Sequence, residues 1–226
     1  MHEPAETTLR HVADDLRSGT RVAILVRHAE RPPLTANDPT FGRDLPLTER
    51  GAVDATRYGR ELSHFACKDQ LMMAAGGNRR CMETAFHILE GMGMDMEDGC
   101  CAVLADPYLG GRTLYFGDVA ARMELANAGN YLESLNAYFS SGRQKGFNDL
   151  HPSTSHLAGH LLFHYDAPLF IGVTHDLNVA CFLAGNGTVA SFTEESWPGF
   201  LDAAVLFIQP DFSTTCRLLR FSTIAS

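Results

Sequence analysis

The feature that most constrains this 226-residue chain is its alternation of short, β-rich apolar runs with longer helical patterns. Strands are predicted at 21–26, 70–75, 102–105, 168–173, 203–208 and 216–221. Helices are predicted at 6–17, 48–65, 79–89, 119–125, 131–139, 154–165 and 177–184. Such alternation is typical of crossover units around a mostly parallel sheet. We therefore expect an α/β fold, a three-layer α/β/α sandwich.

The last two predicted strands are joined only by Gln209, Pro210 and Asp211. This connection is too short for a crossover, so we expect an antiparallel hairpin at the edge of a mixed sheet. No internal repeat or low-complexity tract divides the chain, and the loops at 35–44 and 140–152 are too short to separate domains. The simpler interpretation is one domain over residues 1–226.

Composition and charge exclude several classes of function. With 45% hydrophobic and 20% charged residues, the chain is typical of globular rather than disordered proteins. A net charge of −9 repels nucleic acid and anionic lipid. The apolar runs are far shorter than the roughly 20 residues of a membrane helix. We therefore expect neither a nucleic-acid partner nor a membrane partner.

The cellular compartment is predicted from the amino terminus and the cysteines. Residues 1–20 lack the apolar stretch of a secretory signal, although whether a signal was removed stays open. No C-x-x-C pair occurs among the six cysteines, which are Cys67, Cys81, Cys100, Cys101, Cys181 and Cys216. Reduced thiols in the cytoplasm are therefore expected. The oligomeric state is left open.

Three predicted strands end in residues suited to an anion. They are followed by Arg27, His28 and Arg31, by Arg79 and Arg80, and by His175 and Asp176. Ligands of open α/β sheets lie beyond the carboxyl ends of the strands, and guanidinium groups match phosphate oxygens. An isolated Arg-His pair is more often a solvated strand end, but the three strand ends together predict an anion site.

This set of residue types suits phosphoryl transfer through a histidine. A neutral ring nitrogen of His28 can attack phosphorus and form a covalent intermediate. Several fixed cations stabilise the charge on the transferring group, and the leaving alkoxide requires a proton, for which Asp176 is the natural donor. Arginine neighbours lower the pKa of such a carboxyl group, which leaves the pH optimum open.

These motifs resemble the histidine phosphatase superfamily, the phosphoglycerate mutase-like proteins, and specifically its histidine acid phosphatase branch. The R-H-G-x-R-x-P signature is matched at 27–33 with Ala29 in place of glycine, and the H-D pair followed by asparagine at 175–178. Further matches are L-T-x-x-G at 47–51, R-x-x-x-[ST]-A at 80–85 and W-P-P-F at 197–200, with one proline replaced. They follow the family's order from residue 21 to about 209.

The resemblance implies that His28 is the phosphorylated nucleophile and Asp176 the general acid. It also implies a set of residues that bind the phosphoryl oxygens, namely Arg27, Arg31, Arg80 and His175, of which Arg27 and His175 also belong to the catalytic set. No metal or other cofactor is expected. Larger family members carry a substantial helical cap, so residues 107–165 are expected to form a small cap beside an open pocket.

The leading hypothesis is a metal-independent phosphatase that hydrolyses small-molecule phosphate monoesters through a phosphohistidine. One alternative is a phosphotransferase of the phosphoglycerate mutase type, and another is a non-catalytic protein that binds phospho-ligands. Specificity is expected from 35–44 and 107–165, because loops carry it. The natural substrate stays open.

Three histidines outside these motifs, His156, His160 and His164, recur every four residues on one predicted helix face. This spacing can bind zinc, but no H-E-x-x-H pattern or evident carboxylate ligand accompanies it. We therefore favour surface or pocket-wall histidines. Glu30 is expected to act as a secondary acid or to form an ion pair with Arg31.

Overall fold

A computed structural model describes residues 5–34, 42–66, 68–94, 103–110, 114–118 and 129–224. The strands are β1 (Glu6–Thr7), β2 (Arg21–Arg27), β3 (Leu71–Ala75), β4 (Val103–Ala105), β5 (Leu169–Thr174), β6 (Ala203–Ile208) and β7 (Thr214–Leu219). They form one sheet in the order β1-β7-β6-β2-β5-β3-β4. Only the β2–β6 and β6–β7 pairs are antiparallel, so the predicted mixed, mostly parallel sheet is confirmed.

Helices cover both faces of this sheet. In the described ranges they are α1 (Leu9–Arg17), α2 (Glu49–Ser63), α3 (Arg79–Gly91), α4 (Tyr131–Ser141), α5 (Leu150–His164) and α6 (Asp176–Gly185). In β2, Val22 and Ile24 pack with residues of α1, α2 and α3, whereas Ala23 and Leu25 pack with residues of α4, α5 and α6. A strand buried on both faces has a continuous apolar sequence. The predicted three-layer α/β/α arrangement is confirmed.

The predicted hairpin exists, but the prediction that it lies at the edge of the sheet is wrong. β6 and β7 pair antiparallel, yet β1 pairs parallel with β7 on its outer side, so β7 is not the edge. The helix predicted from residue 6 therefore begins only at Leu9. Thr8 is extended and its side chain accepts the His11 amide, which caps α1 and leaves the preceding residues free to pair as a strand.

Several predictions fall on the undescribed parts of the chain. The helix at 119–125 and the cysteines Cys67, Cys100 and Cys101 lie outside the described residues. The other three cysteines are buried free thiols. α4 and α5 contribute to the same apolar cluster as α6, and the cap predicted at 107–165 stays a prediction. Within the described ranges, no helix combines the length and apolar character needed to cross a membrane.

The sheet order places the candidate residues side by side. β5 lies between β2 and β3 and runs parallel to both, with Arg27 paired to Thr174 and Ala75 paired to Val173. All three carboxyl ends therefore lie at one edge of the sheet. The residues that follow these strands emerge together there, as expected for a ligand site in an α/β fold.

α2 begins in close contact with the chain that follows β2. Thr48 caps the helix, and its side chain accepts the Gly51 amide at 3.0 Å. The Thr48 amide donates to the Glu30 carbonyl at 3.0 Å. A Cβ on Gly51 would overlap that carbonyl, so the glycine of L-T-x-x-G is required by the close approach of two backbones.

Candidate active site

His28 lies just beyond β2 and is only 3% exposed. Its Nδ1 lies 2.8 Å from the Ala29 carbonyl oxygen, and its Nε2 lies 3.1 Å from Nε of Arg80. A carbonyl only accepts and a guanidinium only donates. Nδ1 must therefore carry the proton, and the lone pair lies on Nε2.

The surroundings of His28 favour its neutral form. Burial lowers its pKa well below the ordinary value, and electrostatic interactions with His175, Arg80 and Arg27 lower the pKa further, although the hydrogen bond to Ala29 raises it. The imidazole therefore stays neutral well below neutral pH. A neutral ring keeps the lone pair that a nucleophile requires.

Arg80, in the first turn of α3, connects two imidazoles. Besides its contact with His28, its Nη2 lies 3.4 Å from Nδ1 of His175, and its Nη1 donates to the Gly42 carbonyl. The His28 and His175 rings meet edge to face, with centroids 5.4 Å apart. The structure thus brings together side chains from the ends of β2 and β5 and from the helix that follows β3. Neighbouring Arg79 instead pairs with Glu83 at 2.6 Å.

Asn78 was not predicted, and it contacts His175 from the other side. Its Nδ2 lies 3.0 Å from Nε2 of His175. Asn78 and His175 are the N-cap residues of α3 and α6, and neither makes a side-chain capping bond. Two helix amino termini therefore meet here without side-chain caps, and their partial positive charge favours an anion. Asp176 is the first residue of α6.

Arg27 lies on the opposite side of His28. Its guanidinium carbon is 4.3 Å from the centroid of the Phe200 ring, Nη1 donates to the Pro198 carbonyl at 2.6 Å, and Nη2 lies 3.5 Å from Asp176. The Nε is buried and has no hydrogen-bond partner among the described residues. A buried donor without a partner costs free energy, and an anionic ligand would satisfy it.

Arg31 completes the group of cations. Its Nη1 donates to the Pro32 carbonyl at 2.7 Å, and its Nε is also buried without a partner in the described ranges. Burial lowers its pKa, and Arg80 and Arg27 lower the pKa further, against the opposite effect of Asp176. The three guanidinium groups are thus close enough to repel one another, and an anion between them would relieve that repulsion.

Asp176 accepts two hydrogen bonds as a carboxylate. Oδ1 accepts the Leu177 amide at 2.9 Å and Oδ2 accepts the Trp197 indole N–H at 3.3 Å. Burial raises its pKa, but Arg27, these two hydrogen bonds and His175 together outweigh burial and hold the pKa below its ordinary value. The carboxyl group is therefore ionised at neutral pH.

Two further motifs position these groups. The segment 197–200 forms a wall, because Trp197 and Pro198 contact Asp176 and Arg27 while the Phe200 ring lies 5.8 Å from that of His28. Thr84 accepts the Ala29 amide at 3.0 Å and donates to the Arg80 carbonyl at 2.7 Å. It thereby holds the chain beside His28 against α3. The sequence motifs at 80–85 and 197–200 indicated that both segments belong to the site, but they did not predict which groups these segments contact.

The Glu30 carboxylate takes a different partner from the one predicted. It accepts the hydroxyl of Thr48 at 2.9 Å and so belongs to the start of α2. No ion pair between Glu30 and Arg31 occurs in the described part of the chain. The predicted ion pair is wrong, because the Thr48 hydroxyl is held next to the carboxylate by the helix cap.

The three periodic histidines line a separate cavity of about 400 Å³ on α5. His160 lies 2.8 Å from the buried carboxylate of Asp106, a partner 54 residues away that periodicity does not indicate. The rings of His160 and His164 are stacked at 4.7 Å. Among the described residues, no group of three potential ligands is arranged to hold a metal.

Comparison with known proteins gives a match to a family model over part of the chain. A sequence model of the histidine phosphatase superfamily (branch 1) matches residues 23–99, which contain His28, Arg31 and Arg80. The narrower resemblance to the acid phosphatase branch stays a prediction. No curated protein matches the chain.

Three solved structures share the fold. Mycobacterial glucosyl-3-phosphoglycerate phosphatase is 19% identical, with 88% of this chain and 97% of that chain covered and a TM-score of 0.55. Phosphoglycerate mutase from Bacillus anthracis is 16% identical, with 92% and 98% covered and a TM-score of 0.56. Mycobacterial hydrolase 1 is 16% identical, with 89% and 98% covered and a TM-score of 0.53. The chain thus matches the histidine phosphatase superfamily in sequence over residues 23–99 and shares the fold of these proteins.

Proposed function

We propose that the protein is a metal-independent phosphatase that hydrolyses phosphate monoesters through a phosphohistidine at His28. The observation that carries this proposal is the neutral Nε2 lone pair of His28 beside Arg80. Arg27 and Arg31 each add a buried Nε that has no hydrogen-bond partner in the part of the chain that the structure describes. A nucleophile and cations in one place supply the two requirements of phosphoryl transfer.

In the first step, Nε2 of His28 attacks phosphorus and a P–N bond forms as the P–O bond to the leaving group breaks. The Nε of Arg80 must first release His28, because one lone pair cannot accept a hydrogen bond and attack phosphorus together. Negative charge then lies on the equatorial oxygens, which Arg27, Arg31, Arg80 and His175 bind. These fixed charges favour the transition state.

The leaving oxygen takes a proton from Asp176. The carboxyl group is protonated in a growing fraction of molecules as the pH falls, and the charge of a bound phosphoryl group opposes its ionisation. Water then attacks the phosphohistidine, its proton passes to Asp176, and the P–N bond breaks. Inorganic phosphate leaves, and His28 returns to its neutral form.

We propose one domain in which residues 107–165 supply a small cap, and a small-molecule phosphate ester as substrate. Buried free thiols support a reducing cytoplasmic compartment. Guanidinium groups supply the positive charge, so the proposed mechanism assigns no step to a metal.

Hydrolysis of p-nitrophenyl phosphate in excess chelator tests the proposal. Wild type should release nitrophenolate and His28→Ala should not, because no other group in the site replaces the nucleophile. His87→Ala is the matched control, because the His87 side chain is partly exposed on α3 and contacts Glu90. Absence of turnover by wild type, or full turnover by His28→Ala, rejects the mechanism.

Two other functions make different predictions. A mutase, which the likeness to the Bacillus anthracis enzyme supports, should require a bisphosphate primer and keep a long-lived phosphoenzyme. A non-catalytic binding protein should show tight binding of phosphate esters by calorimetry without measurable hydrolysis. The hydrolysis assay with and without primer separates all three.

A further inference from the structure

A second cavity, of about 610 Å³, is lined by Trp197, whose indole contacts the candidate acid Asp176. Its walls include Asn130, Tyr131, Leu132, Glu133, Glu194 and Trp197, which come from the start of α4 and from the segment before β6. Volumes of this size are typical of small-ligand sites. None of the residues proposed to bind the phosphoryl group lines it among the described residues.

Trp197 connects this cavity with the reaction. The same indole that forms part of the cavity wall donates its N–H to Oδ2 of Asp176 at 3.3 Å. In the proposed mechanism Asp176 protonates the leaving oxygen, and the rest of the leaving group extends from that atom. The cavity and the carboxyl group that protonates the leaving oxygen therefore share one neighbouring side chain, Trp197.

The two walls of the cavity are fixed to each other. The side-chain amide of Asn136, on α4, donates to the Phe192 carbonyl and accepts the Phe192 amide, both at 2.8 Å. The Phe192 and Trp197 rings meet edge to face, with centroids 5.3 Å apart. Arg220 donates to the carbonyls of Ser196 and Trp197. The cavity is thus built from anchored elements.

The chemistry of the walls favours a cation. Glu133 and Glu194 supply two carboxylates, Tyr131 and Trp197 supply two aromatic rings, and the described lining contains no lysine or arginine. A helix amino terminus such as that of α4 favours anions by itself, but Glu133 already places a negative charge in its first turn. Aromatic rings combined with carboxylates bind ammonium groups.

We propose that this cavity binds an ammonium group on the leaving alcohol, so that the substrates are phosphate monoesters of amino alcohols. This inference rests on the proposed function, because it assumes that Asp176 protonates the leaving oxygen. The ammonium group contacts the Trp197 and Tyr131 rings and lies near Glu133 and Glu194. An anionic leaving group such as glycerate is repelled by the same carboxylates.

A pair of substrates equal in shape but different in charge tests this inference. Phosphocholine and 3,3-dimethylbutyl phosphate differ only in a quaternary nitrogen that is replaced by carbon. We expect kcat/KM for phosphocholine to exceed that for the neutral ester by about tenfold, the effect of a partly desolvated cation on aromatic rings and carboxylates. 3-Phosphoglycerate should be poorer than both.

The double variant Glu133→Gln/Glu194→Gln should lower the ratio of the two kcat/KM values by about threefold or more, because the aromatic rings remain but both carboxylate charges are lost. This ratio cancels changes in the chemistry that both substrates share. Glu195→Gln is the matched control, because Glu195 is exposed and is absent from the cavity wall. It should keep the wild-type ratio.

The outcomes distinguish failure of the proposed phosphatase function from failure of the ammonium site. If wild type does not hydrolyse p-nitrophenyl phosphate, the proposed function fails. If it does, but phosphocholine is not preferred over its neutral isostere, the ammonium site is overturned and the phosphatase stands. A preference that is as large in the double variant as in wild type also overturns the ammonium site.

Discussion

The Nε–H of Arg80 donates to Nε2 of His28 over 3.1 Å, so the cation proposed to bind the phosphoryl group also occupies the lone pair of the nucleophile. The contact is possible only while His28 is neutral at Nε2. Binding of substrate must transfer Arg80 from the imidazole to a phosphoryl oxygen. Arg80 therefore has two successive roles. A lysine ammonium, which is a point charge on a flexible side chain, does not reproduce both of them.

Arg80→Lys should lower kcat/KM for p-nitrophenyl phosphate by about 10²-fold or more, as expected for loss of an oriented charge in the transition state. The lysine ammonium cannot contact both His28 and His175 in the geometry of the guanidinium fork. Steady-state kinetics measure the effect. Arg79→Lys is the control, because Arg79 pairs with Glu83 away from the imidazoles. Activity of Arg80→Lys within about threefold of wild type would argue against this role.

The pH profile of kcat/KM should have its maximum below neutral pH for an alkyl phosphate, whose poor leaving group requires an acid. The pKa of Asp176 lies below its ordinary value, so its acid form accumulates only as pH falls. The pKa of His28 is also lowered, so the nucleophile stays neutral in the same range. Asp176→Asn reports the profile without this carboxyl group, which leaves the ionisation of the substrate and of His28. A wild-type profile identical to that of Asp176→Asn would remove Asp176 from the mechanism.

Trp197→Phe should move the basic limb of that profile to higher pH by about half a unit to one unit. The indole N–H stabilises the ionised form of Asp176, and its loss raises the pKa of the carboxyl group. Asp176 then remains protonated at higher pH, which fixes the direction of the shift. Phenylalanine keeps an aromatic ring in the wall. A shift to lower pH, or none, would contradict the assigned hydrogen bond.

Gly51→Ala should lower the free energy of unfolding by about 1–3 kcal/mol, the cost of overpacking. The new methyl group overlaps the Glu30 carbonyl, so it should also displace the chain that carries His28 and reduce kcat. Denaturant unfolding and p-nitrophenyl phosphate kinetics measure the two effects. Gly77→Ala is the control, since no heavy atom lies within 4 Å of a Cβ there. Equal stability of the two variants would contradict the close approach at Gly51.

The sequence predicts those parts of the site that depend on strand order and local motifs. The residues of this set end or directly follow parallel strands or lie in the first turn of the next helix, so the α/β pattern alone brings them to one edge; they are Arg27, His28, Arg80, His175 and Asp176. The periodicity of apolar residues likewise predicts the three layers. β1 was missed because two residues, Glu6 and Thr7, are too few to show a period.

The contacts that orient these groups depend on tertiary packing and could not be predicted. Asn78 and His175 are separated by 97 residues, and Asn78 resembles an ordinary helix cap in sequence. Trp197 was recognised as part of a motif, but its hydrogen bond to Asp176 depends on how the segment before β6 folds against α6. Local pattern identifies the reacting groups, whereas packing determines their tautomers and charges.

The most direct test of the account is to trap the covalent intermediate. Wild type is mixed with a ³²P-labelled phosphate monoester and quenched within one turnover in alkali, in which a phosphohistidine survives, and the labelled peptide is identified by mass spectrometry. We predict up to one phosphate per chain, on His28, that disappears on further incubation and is absent from His28→Ala. Label on another residue, or turnover by wild type without phosphorylated His28, would contradict the account.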